Sequence, residues 1–369
     1  MRATNLLSKK ITIVGGGIIG LLTGWNLGQL NLDYEIQIID PRINKTPNRL
    51  GKLNGTEASL GVLMGNLFSR SNGRGWKLRQ SSMKIWPEWI KKLNTKENPL
   101  EIKTPLIQLT KSKDELLHLN KLTKLRKNLG VNLIPSYMLS NMRELFSYDF
   151  SGGVISENDG YLNPICLIRS LQNALNQNKA NLTESSVVKI ERNSSQDKRR
   201  WKLNLCNGEI HKADIIILCT SIDTQSLLKS LGHQLDIEGI LGQAIIVKTN
   251  NFDYQSSKLP AVISLNGFNL ISLNKDEFLI GATLEPGEYT DPRKIETMKR
   301  LNFNSPKWLR DAKIINSWIG VRARPINRAA PILDVLEPGL IIATGHYRNG
   351  VLLGPATAKW VEEQVKNDN

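Results

Sequence analysis

The sequence predicts an α/β protein: a discontinuous Rossmann-like dinucleotide-binding domain with an inserted α+β domain built on a mostly antiparallel sheet. Three observations predict it: a glycine-rich strand–turn–helix–strand pattern near the N-terminus, several short β-rich segments between residues 240 and 320, and a strand–helix pattern near the C-terminus. Short strands separated by turn residues are typical of antiparallel sheets, whereas strands that alternate with helices are typical of parallel ones. We therefore expect both ends of the chain to share one sheet.

The N-terminal pattern is that of a dinucleotide-binding βαβ unit. An apolar strand, a glycine turn, an apolar helix and a second strand ending in an acid follow one another over 10–14, Gly15-Gly16-Gly17-Ile18-Ile19-Gly20, 21–28 and 36–40. Gly15 allows the tight turn, Gly17 lets the backbone approach a pyrophosphate, and Gly20 lets the helix lie close to the strand. Asp40 is placed to accept hydrogen bonds from a ribose. The pattern predicts a dinucleotide site without separating FAD from NAD.

The middle of the chain contains further helices and strands. The predicted helices are 76–93, interrupted by Pro87, and 163–178, and the predicted strands are 186–190, 201–205, 209–212, 215–218, 244–248, 261–265, 269–273, 277–282 and 314–319. Asn207-Gly208 suits a tight hairpin turn between the second and third of these strands. The apolar stripe of the first helix, which includes Trp86 and Trp89, is more typical of a core than of a site.

The C-terminal pattern completes the predicted domain organisation. It consists of a strand over 340–344, a turn over 345–350 and a helix from Val351. We assign residues 1–75, 147–238 and 312–369 to the dinucleotide-binding domain. The substrate domain then consists of residues 76–146 and 239–311.

The composition is that of a globular protein with an excess of positive charge. Of 369 residues 40% are hydrophobic, and the net charge is +15. Between residues 70 and 130 there are fifteen Lys or Arg against five Asp or Glu. Solvated helix faces are the simpler interpretation of this segment, and an anion-binding surface is the alternative. Aromatic residues do not alternate with these cations, as a single-strand nucleic-acid platform would require. Nucleic acid is therefore the less favoured partner, although the sequence leaves it open.

Other residue patterns argue against a metal centre and a membrane protein. Cys166, Cys206 and Cys219 are widely spaced and form no CxxC, which disfavours a disulfide framework and a thiolate metal site. None of the four histidines pairs with another at metal-ligand spacing, so we expect no metal. No run of eighteen apolar residues occurs, which disfavours a membrane-spanning helix. We expect a cytoplasmic protein.

The C-terminal region carries a family resemblance. It contains Gly320-Val321-Arg322-Ala323-Arg324-Pro325, then Pro331-Ile332-Leu333, then Ala343-Thr344-Gly345-His346-Tyr347-Arg348-Asn349-Gly350-Val351-Leu352-Leu353-Gly354-Pro355-Ala356-Thr357. Together with the N-terminal βαβ unit, the segment 56–65 and the strands near 187 and 215–218, this block resembles the D-amino-acid oxidase superfamily of FAD-dependent oxidoreductases and, within it, glycine oxidase. Glycine oxidase in bacteria serves thiamin biosynthesis, so the resemblance also implies that pathway.

The resemblance implies FAD as cofactor and a set of site residues. The residues implied to bind FAD are Gly15, Gly17, Ile18, Ile19, Gly20, Asp40, Pro41, Ala58, Ser59, Gly61, Val187, Thr220, Gly345, His346, Tyr347, Arg348, Asn349, Gly350, Val351 and Leu352. Arg322 stands where the family places the arginine that grips the substrate carboxylate, a task that suits a planar guanidinium. Arg348 matches a second arginine of the site, and Met64 lies near the segment at its mouth. No cysteine lies near 315–325, where sarcosine-oxidase-like relatives attach the flavin, so noncovalent FAD is expected.

The implied activity is oxidation of the C–N bond of a small amino acid or amine. Glycine, sarcosine or a D-amino acid would give an imine, with oxygen as the acceptor and hydrogen peroxide as the product. No side-chain base is assigned, because the cofactor takes up the hydride. Two segments depart from the family pattern: Cys219-Thr220-Ser221 replaces a small-residue pair, and Asn327-Arg328-Ala329-Ala330 replaces a Pro-Asp-Gly turn. These departures bear on packing against FAD and on the choice of substrate.

Two other functions stay open at this point. A flavin oxidase acting on a modified tRNA wobble uridine would use the basic segment 70–130 to hold phosphates. A flavin-binding protein without turnover would act as a structural or regulatory partner. The sequence is also compatible with a homo-oligomer.

Overall fold

The protein has a mixed α/β architecture. The computed structural model describes residues 8–30, 32–46, 49, 51–194, 196–250, 259–287, 289–302 and 305–368; the start of the first predicted domain segment, residues 1–7, lies outside this part. Within it the α-helices are α1 (Ile18–Gly28), α2 (Gly73–Leu93), α3 (Lys113–Arg126), α4 (Ser136–Phe146), α5 (Pro164–Gln177), α6 (Thr224–Lys229), α7 (Arg293–Lys299), α8 (Lys307–Arg310) and α9 (Gly350–Asn367).

The described strands fall into one six-stranded, one ten-stranded and two three-stranded sheets. They are β1 (Lys9–Val14), β2 (Tyr34–Ile39), β3 (Gly51–Leu53), β4 (Val62–Leu63), β5 (Ile102–Lys103), β6 (Leu106–Thr110), β7 (Val131–Leu133), β8 (Gly152–Ser156), β9 (Gly160–Leu162), β10 (Asn181–Thr183), β11 (Val187–Arg192), β12 (Trp201–Leu205), β13 (Ile210–Ala213), β14 (Ile215–Leu218), β15 (Ile237–Lys248), β16 (Val262–Leu265), β17 (Phe268–Ser272), β18 (Glu277–Gly281), β19 (Glu285–Pro286), β20 (Lys313–Pro325), β21 (Ile332–Glu337) and β22 (Leu340–Thr344).

The six-stranded sheet joins the two ends of the chain. Its order is β10-β2-β1-β14-β22-β21, and every neighbouring pair is parallel except β21–β22. The central strands are runs of buried β-branched residues, with Ile11 and Ile13 beside Ile215 and Ile217. Such runs are typical of strands covered on both faces. The predicted sheet built from both ends of the chain is confirmed.

Helices α1, α2, α5 and α9 pack together in one core with this sheet. The Trp25 and Trp89 rings meet edge to face at 4.9 Å, and Trp86 is fully buried with its indole N–H donating to the Leu352 carbonyl at 3.2 Å. The aromatic stripe of α2 is therefore core, as expected. The predicted interruption at Pro87 is wrong: α2 runs through it, because proline removes only one N–H from the helix and the packed aromatic face holds the rest. The predicted domain division places α2 in the substrate domain, but α2 packs in the core of the six-stranded sheet. The division itself stays a prediction.

The ten-stranded sheet is mostly antiparallel, as predicted. Its order is β3-β20-β15-β18-β17-β16-β6-β8-β7, with β19 beside β15; only β3–β20 and β6–β16 are parallel. Strands β15 and β20 are longer than the predicted runs 244–248 and 314–319. The sequence pattern breaks at glycines, which weaken a strand signal, but Gly242 lies opposite Gly320 and the ladder continues through both.

The turn after β22 brings the two large sheets together. The Tyr347 N–H donates to the Ala323 carbonyl at 3.1 Å, which ties the C-terminal turn to β20. The C-terminal end of β20 thus lies beside the turn that precedes α9. The predicted hairpin is also confirmed, since β12 and β13 pair antiparallel around Asn207-Gly208.

Candidate active site

One large cavity runs between the glycine turn of the N-terminal βαβ unit and the end of β20. Its volume is about 1460 Å³. With one exception, every residue that the sequence assigns to FAD or substrate lines it: Gly15, Gly17, Ile18, Ile19, Asp40, Pro41, Ala58, Ser59, Gly61, Met64, Val187, Thr220, Arg322, Gly345, His346, Tyr347, Arg348, Asn349, Gly350, Val351 and Leu352. The exception is Gly20, which lies behind the turn.

The glycines hold the turn between β1 and α1. Gly15 has φ of +105°, and a Cβ there would lie 2.7 Å from the Cys219 carbonyl oxygen. A Cβ on Gly20 would lie 1.9 Å from the Gly15 carbonyl oxygen, so a side chain at Gly20 would push α1 away from β1. The two positions therefore need glycine for backbone conformation and close packing.

Asp40 lies at the end of β2 and faces the same turn. Its carboxylate accepts hydrogen bonds from the Gly16 N–H at 2.8 Å and the Arg42 N–H at 2.7 Å. These two bonds use one acceptor position on each oxygen. A carboxylate has about four such positions, so Asp40 retains capacity for the hydroxyl groups of a ribose.

Residues 54–57 form a part of this end that the sequence reasoning missed. The Thr56 hydroxyl accepts the Ile18 N–H at 3.0 Å, and Asn54 Oδ1 accepts the N–H groups of Thr56 and Glu57. Glu57 is buried and forms an ion pair with Arg42 at 2.9 Å. No local pattern could predict the bond between Thr56 and Ile18 or the ion pair between Glu57 and Arg42, because these partners are 38 and 15 residues apart.

Arg322 lies on β20 at the opposite end of the cavity. Its Nη1 donates to the carbonyl oxygens of Leu241 and Thr283, each at 3.1 Å. Its Nε and Nη2 have no hydrogen-bond partner among the described residues. Burial lowers the pKa of Arg322, and the nearby Arg348 lowers it further, yet arginine stays charged at any physiological pH. The side chain is held by the backbone and keeps donors free for an anion.

The turn over 345–350 brings Arg348 beside Arg322. Tyr347 takes a positive φ of 53°, and its N–H bond to Ala323 fixes the turn against β20. Arg348 is exposed and lines the cavity, and Arg322, which also lines it, is half-buried. Two guanidinium groups therefore converge on one part of the cavity, which favours an anionic ligand there.

His346 is a buried residue of this turn. Its Nε2 lies 2.9 Å from the Thr357 hydroxyl. Burial, with a smaller contribution from Arg74, lowers the pKa of His346 to about 3. The ring is thus neutral at physiological pH and fixes the turn to α9 instead of exchanging protons with a substrate.

The segment 65–70, which follows Met64, is clamped by two buried charged residues. The Asp159 carboxylate accepts the N–H groups of Gly65, Asn66 and Leu67 at 2.9 to 3.0 Å. Arg126 donates to the carbonyl oxygens of Asn66, Phe68 and Arg70. Burial raises the pKa of Asp159, and the backbone N–H groups oppose that shift. The clamp fixes the wall of the cavity that includes Phe68.

The donor set fits FAD. The backbone at Gly15 and Gly17 carries no side chains and lies at the N-terminus of α1, where a pyrophosphate can bind. Asp40 follows β2, where its carboxylate can bind a ribose. The start of α9 lines the same cavity beside the start of α1, where a Cβ on Gly350 would lie 3.7 Å from the Ile18 side chain. Among the described residues no group of three His, Cys, Asp or Glu could hold a metal ion. No helix in that part of the chain is long and apolar enough to cross a membrane.

Comparison with known proteins agrees with this geometry. Residues 10–364 match the family model described as FAD dependent oxidoreductase. The chain is 28% identical to glycine oxidase of Pseudomonas aeruginosa over 201 residues, a match that covers 52% of each protein. It is 25% identical over 377 residues to the bifunctional protein ThiO/ThiG of a Nostoc species, covering 97% of this chain and 53% of that one. The matches thus span about half the length of these relatives.

Solved structures show the same fold. Glycine oxidase from Geobacillus kaustophilus superposes with a TM-score of 0.79 at 22% identity, over 97% of this chain and 95% of that one. Iminodiacetate oxidase from Chelativorans superposes with a TM-score of 0.79 at 20% identity, over 97% and 95%. At these identities the likeness establishes the architecture alone.

Proposed function

The chain belongs to the FAD dependent oxidoreductase family, and on that premise we propose that it oxidises the C–N bond of a small amino acid such as glycine, sarcosine or a D-amino acid. The observation that carries the proposal is the convergence of Arg322 and Arg348 on a cavity whose other end is a dinucleotide cradle. The likeness to proteins named glycine oxidase supports the same substrate class.

Arg322 binds the substrate carboxylate. Its Nη1 is held by two backbone carbonyls, so the guanidinium plane is fixed before the substrate arrives. A fixed plane can present two donors to the two carboxylate oxygens. Orientation of this kind supplies a large part of catalysis when the reacting groups are brought into contact.

Bound FAD would supply the oxidation itself, as the acceptor of the hydride from the substrate Cα–H. The residues of the chain orient the substrate and hold its charge. His346 is neutral and bonded to Thr357, so it is not assigned a proton-transfer role. The imine product hydrolyses in water to an oxo acid and the free amine, which is ammonia for glycine and methylamine for sarcosine. With oxygen as acceptor, glycine, oxygen and water give glyoxylate, ammonia and hydrogen peroxide.

Turnover assays test this proposal. Oxygen uptake, hydrogen peroxide and the oxo acid would be measured with glycine, sarcosine, D-alanine and D-proline at a fixed protein concentration. We expect at least one amino acid to give equal amounts of peroxide and oxo acid. Oxo acid formed only with an added dye, without oxygen uptake, would overturn the oxygen part of the proposal. No product with any of them under either condition would overturn the substrate class.

A further inference from the structure

The antiparallel ladder between β15 and the strands β18 and β19 contains a β-bulge. Ala244 of β15 lies opposite Gly281 of β18, and Leu241 of β15 lies opposite Glu285 of β19. Two residues of β15 between these pairs therefore lie opposite three residues of the partner chain segment. One extra residue in a strand disrupts the ladder locally, and bulges are frequent beside active sites. Thr283 is the middle one of the three.

The Thr283 side chain takes the place of a backbone carbonyl in this ladder. The Gln243 N–H donates to the Thr283 hydroxyl at 2.7 Å, and the Thr283 N–H donates to the Gln243 carbonyl at 3.1 Å. In a regular hydrogen-bonded pair the Thr283 carbonyl would accept the Gln243 N–H. It instead accepts a hydrogen bond from Arg322 Nη1 at 3.1 Å. The hydroxyl thus releases a backbone carbonyl that holds the guanidinium.

Glu285 fixes the direction of the Thr283 hydroxyl. It is 2% exposed, and its Oε1 accepts hydrogen bonds from the Thr283 hydroxyl and, at 2.8 Å, from Gln243 Nε2. Its Oε2 accepts the Asp291 N–H at 2.6 Å. Burial by itself raises the pKa of Glu285, but these hydrogen bonds outweigh burial and lower it. An ionised carboxylate can only accept, so the Thr283 hydroxyl donates to Glu285 and turns a lone pair to the Gln243 N–H.

Glu285 also places a negative charge near Arg322 without occupying its donors. Burial lowers the pKa of Arg322, and the charge of Glu285 partly opposes that shift. The Glu285 oxygens bind Thr283, Gln243 and the Asp291 N–H instead of the guanidinium. A direct ion pair would use the donors that a carboxylate ligand needs. The relay through Thr283 leaves those donors available.

We infer that Thr283, with its hydroxyl oriented by Glu285, positions Arg322 to receive the substrate carboxylate. The inference rests on the proposed function, in which Arg322 binds that carboxylate. Arg322 lines the cavity, whereas Thr283 and Glu285 do not. The two residues are therefore positioning residues that act through the guanidinium.

Close packing makes the guanidinium sensitive to this arrangement. A Cβ on Gly242 would lie 2.3 Å from both Nη atoms of Arg322, so the guanidinium lies directly against β15. Gln243 is 3% exposed, and a buried N–H without an acceptor is costly. If the Thr283 hydroxyl were removed, the Gln243 N–H would compete for the Thr283 carbonyl. Arg322 would then lose one of its two backbone acceptors.

Binding of acetate to the FAD-bound protein tests the inference without turnover. Acetate has a carboxylate and no amine, so its dissociation constant, followed by the flavin absorbance, reports on the carboxylate site alone. The variants are Thr283→Val, which removes the hydroxyl, Thr283→Ser, which keeps it, and Glu285→Leu, which removes its acceptor. Thr283→Val and Glu285→Leu are also made in the Arg322→Ala protein, which gives two double-mutant cycles.

Thr249→Val is the matched control. Thr249 follows the other end of β15 and is 4% exposed, and its hydroxyl donates to the Asp276 carbonyl at 3.1 Å. It does not line the cavity. The control therefore removes a buried threonine hydroxyl from the same sheet without touching the contacts of Arg322.

We expect Thr283→Val and Glu285→Leu to weaken acetate binding about tenfold, the size of one hydrogen bond to a charged group. Thr283→Ser and Thr249→Val should stay close to the parent protein. In the Arg322→Ala protein, Thr283→Val and Glu285→Leu should have no further effect, because the residue through which they act is gone.

Unchanged acetate affinity in Thr283→Val would overturn the inference, as would a loss of the same factor in the parent and the Arg322→Ala proteins. A Thr283→Ser variant as weak as Thr283→Val would also overturn it, and unchanged binding in Glu285→Leu would remove Glu285 from the role. Thr283→Ala provides the same comparison if Thr283→Val does not fold. Unchanged binding in Arg322→Ala alone would instead contradict the proposed function, and the inference would fall with it.

Discussion

Single residues in this site are held by backbone contacts that leave their functional atoms free. Arg322 donates Nη1 to two carbonyl oxygens and keeps Nε and Nη2 without partners in the described part of the chain. Asp40 is held by two backbone N–H groups in the same way. Such preorganisation lowers the cost of ordering the site when ligands bind.

Arg322→Ala tests the assignment of the carboxylate-binding residue. We expect the KM for the amino acid to rise roughly a hundredfold, because a charged hydrogen-bonded pair in a buried site is lost. Bound FAD should be retained, since Arg322 lies at the other end of the cavity. Steady-state kinetics and the flavin absorbance of the purified variant measure both effects.

Arg324→Ala is the matched control. Arg324 lies two residues along the same strand but forms an ion pair with Glu238 and does not line the cavity. Its KM should match that of the parent protein. An unchanged KM in Arg322→Ala, or an equal rise in Arg324→Ala, would remove Arg322 from the proposed role.

The elements that build the cavity are joined across the whole length of the chain. Helix α9 is tied to α1 by Glu362, whose Oε2 accepts from Asn26 Nδ2 at 2.8 Å, and Lys359 and Lys366 also donate to this carboxylate. Burial by itself raises the pKa of Glu362, but the hydrogen bonds outweigh burial and lower it to about 2. The first and last helices of the FAD site therefore depend on one ionised side chain.

Acid titration of stability tests this link. A carboxyl whose pKa is lower in the folded than in the unfolded protein stabilises the fold above its unfolded pKa. That stability is lost as the pH falls from about 4.5 to about 2. We expect Glu362→Gln to lower the free energy of unfolding at pH 7, and the difference from the parent protein to shrink over this pH window. Urea unfolding at a series of pH values measures it.

Glu363→Gln provides the comparison, because Glu363 is the exposed neighbour of Glu362. It should leave the free energy of unfolding nearly unchanged at every pH. A Glu362→Gln deficit that stays constant from pH 7 to pH 3 would show that the ionised carboxylate is not the stabilising group.

At the scale of the whole molecule, the sequence predicted the features that have a local hydrophobic pattern or a motif. The buried strands over 215–218 and 340–344 and the glycine turn have local patterns, so the sheet that joins the two ends could be predicted. The full lengths of β15 and β20 could not, because they depend on pairing through Gly242 and Gly320.

The unpredicted parts of the site are single residues with distant partners. Arg79 and its partner Asn349 are 270 residues apart, and Arg126 meets a carbonyl 60 residues away. No local period or spacing identifies such pairs. The assignments of Met64, Arg348 and the other residues taken from the family resemblance stay predictions, although the fold brings them to one cavity.

Anaerobic reduction of the bound flavin tests the central claim, that one cavity holds FAD at one end and an amino-acid carboxylate at the other. The flavin absorbance would be followed without oxygen after mixing with glycine, sarcosine or D-alanine, and with methylamine or ethylamine as analogues without a carboxylate. We expect at least one amino acid to bleach the flavin and the carboxylate-free amines to leave it oxidised. A flavin that dithionite bleached but no amino acid did, or amines that bleached it equally fast, would show that the cavity does not bind an amino-acid carboxylate beside FAD.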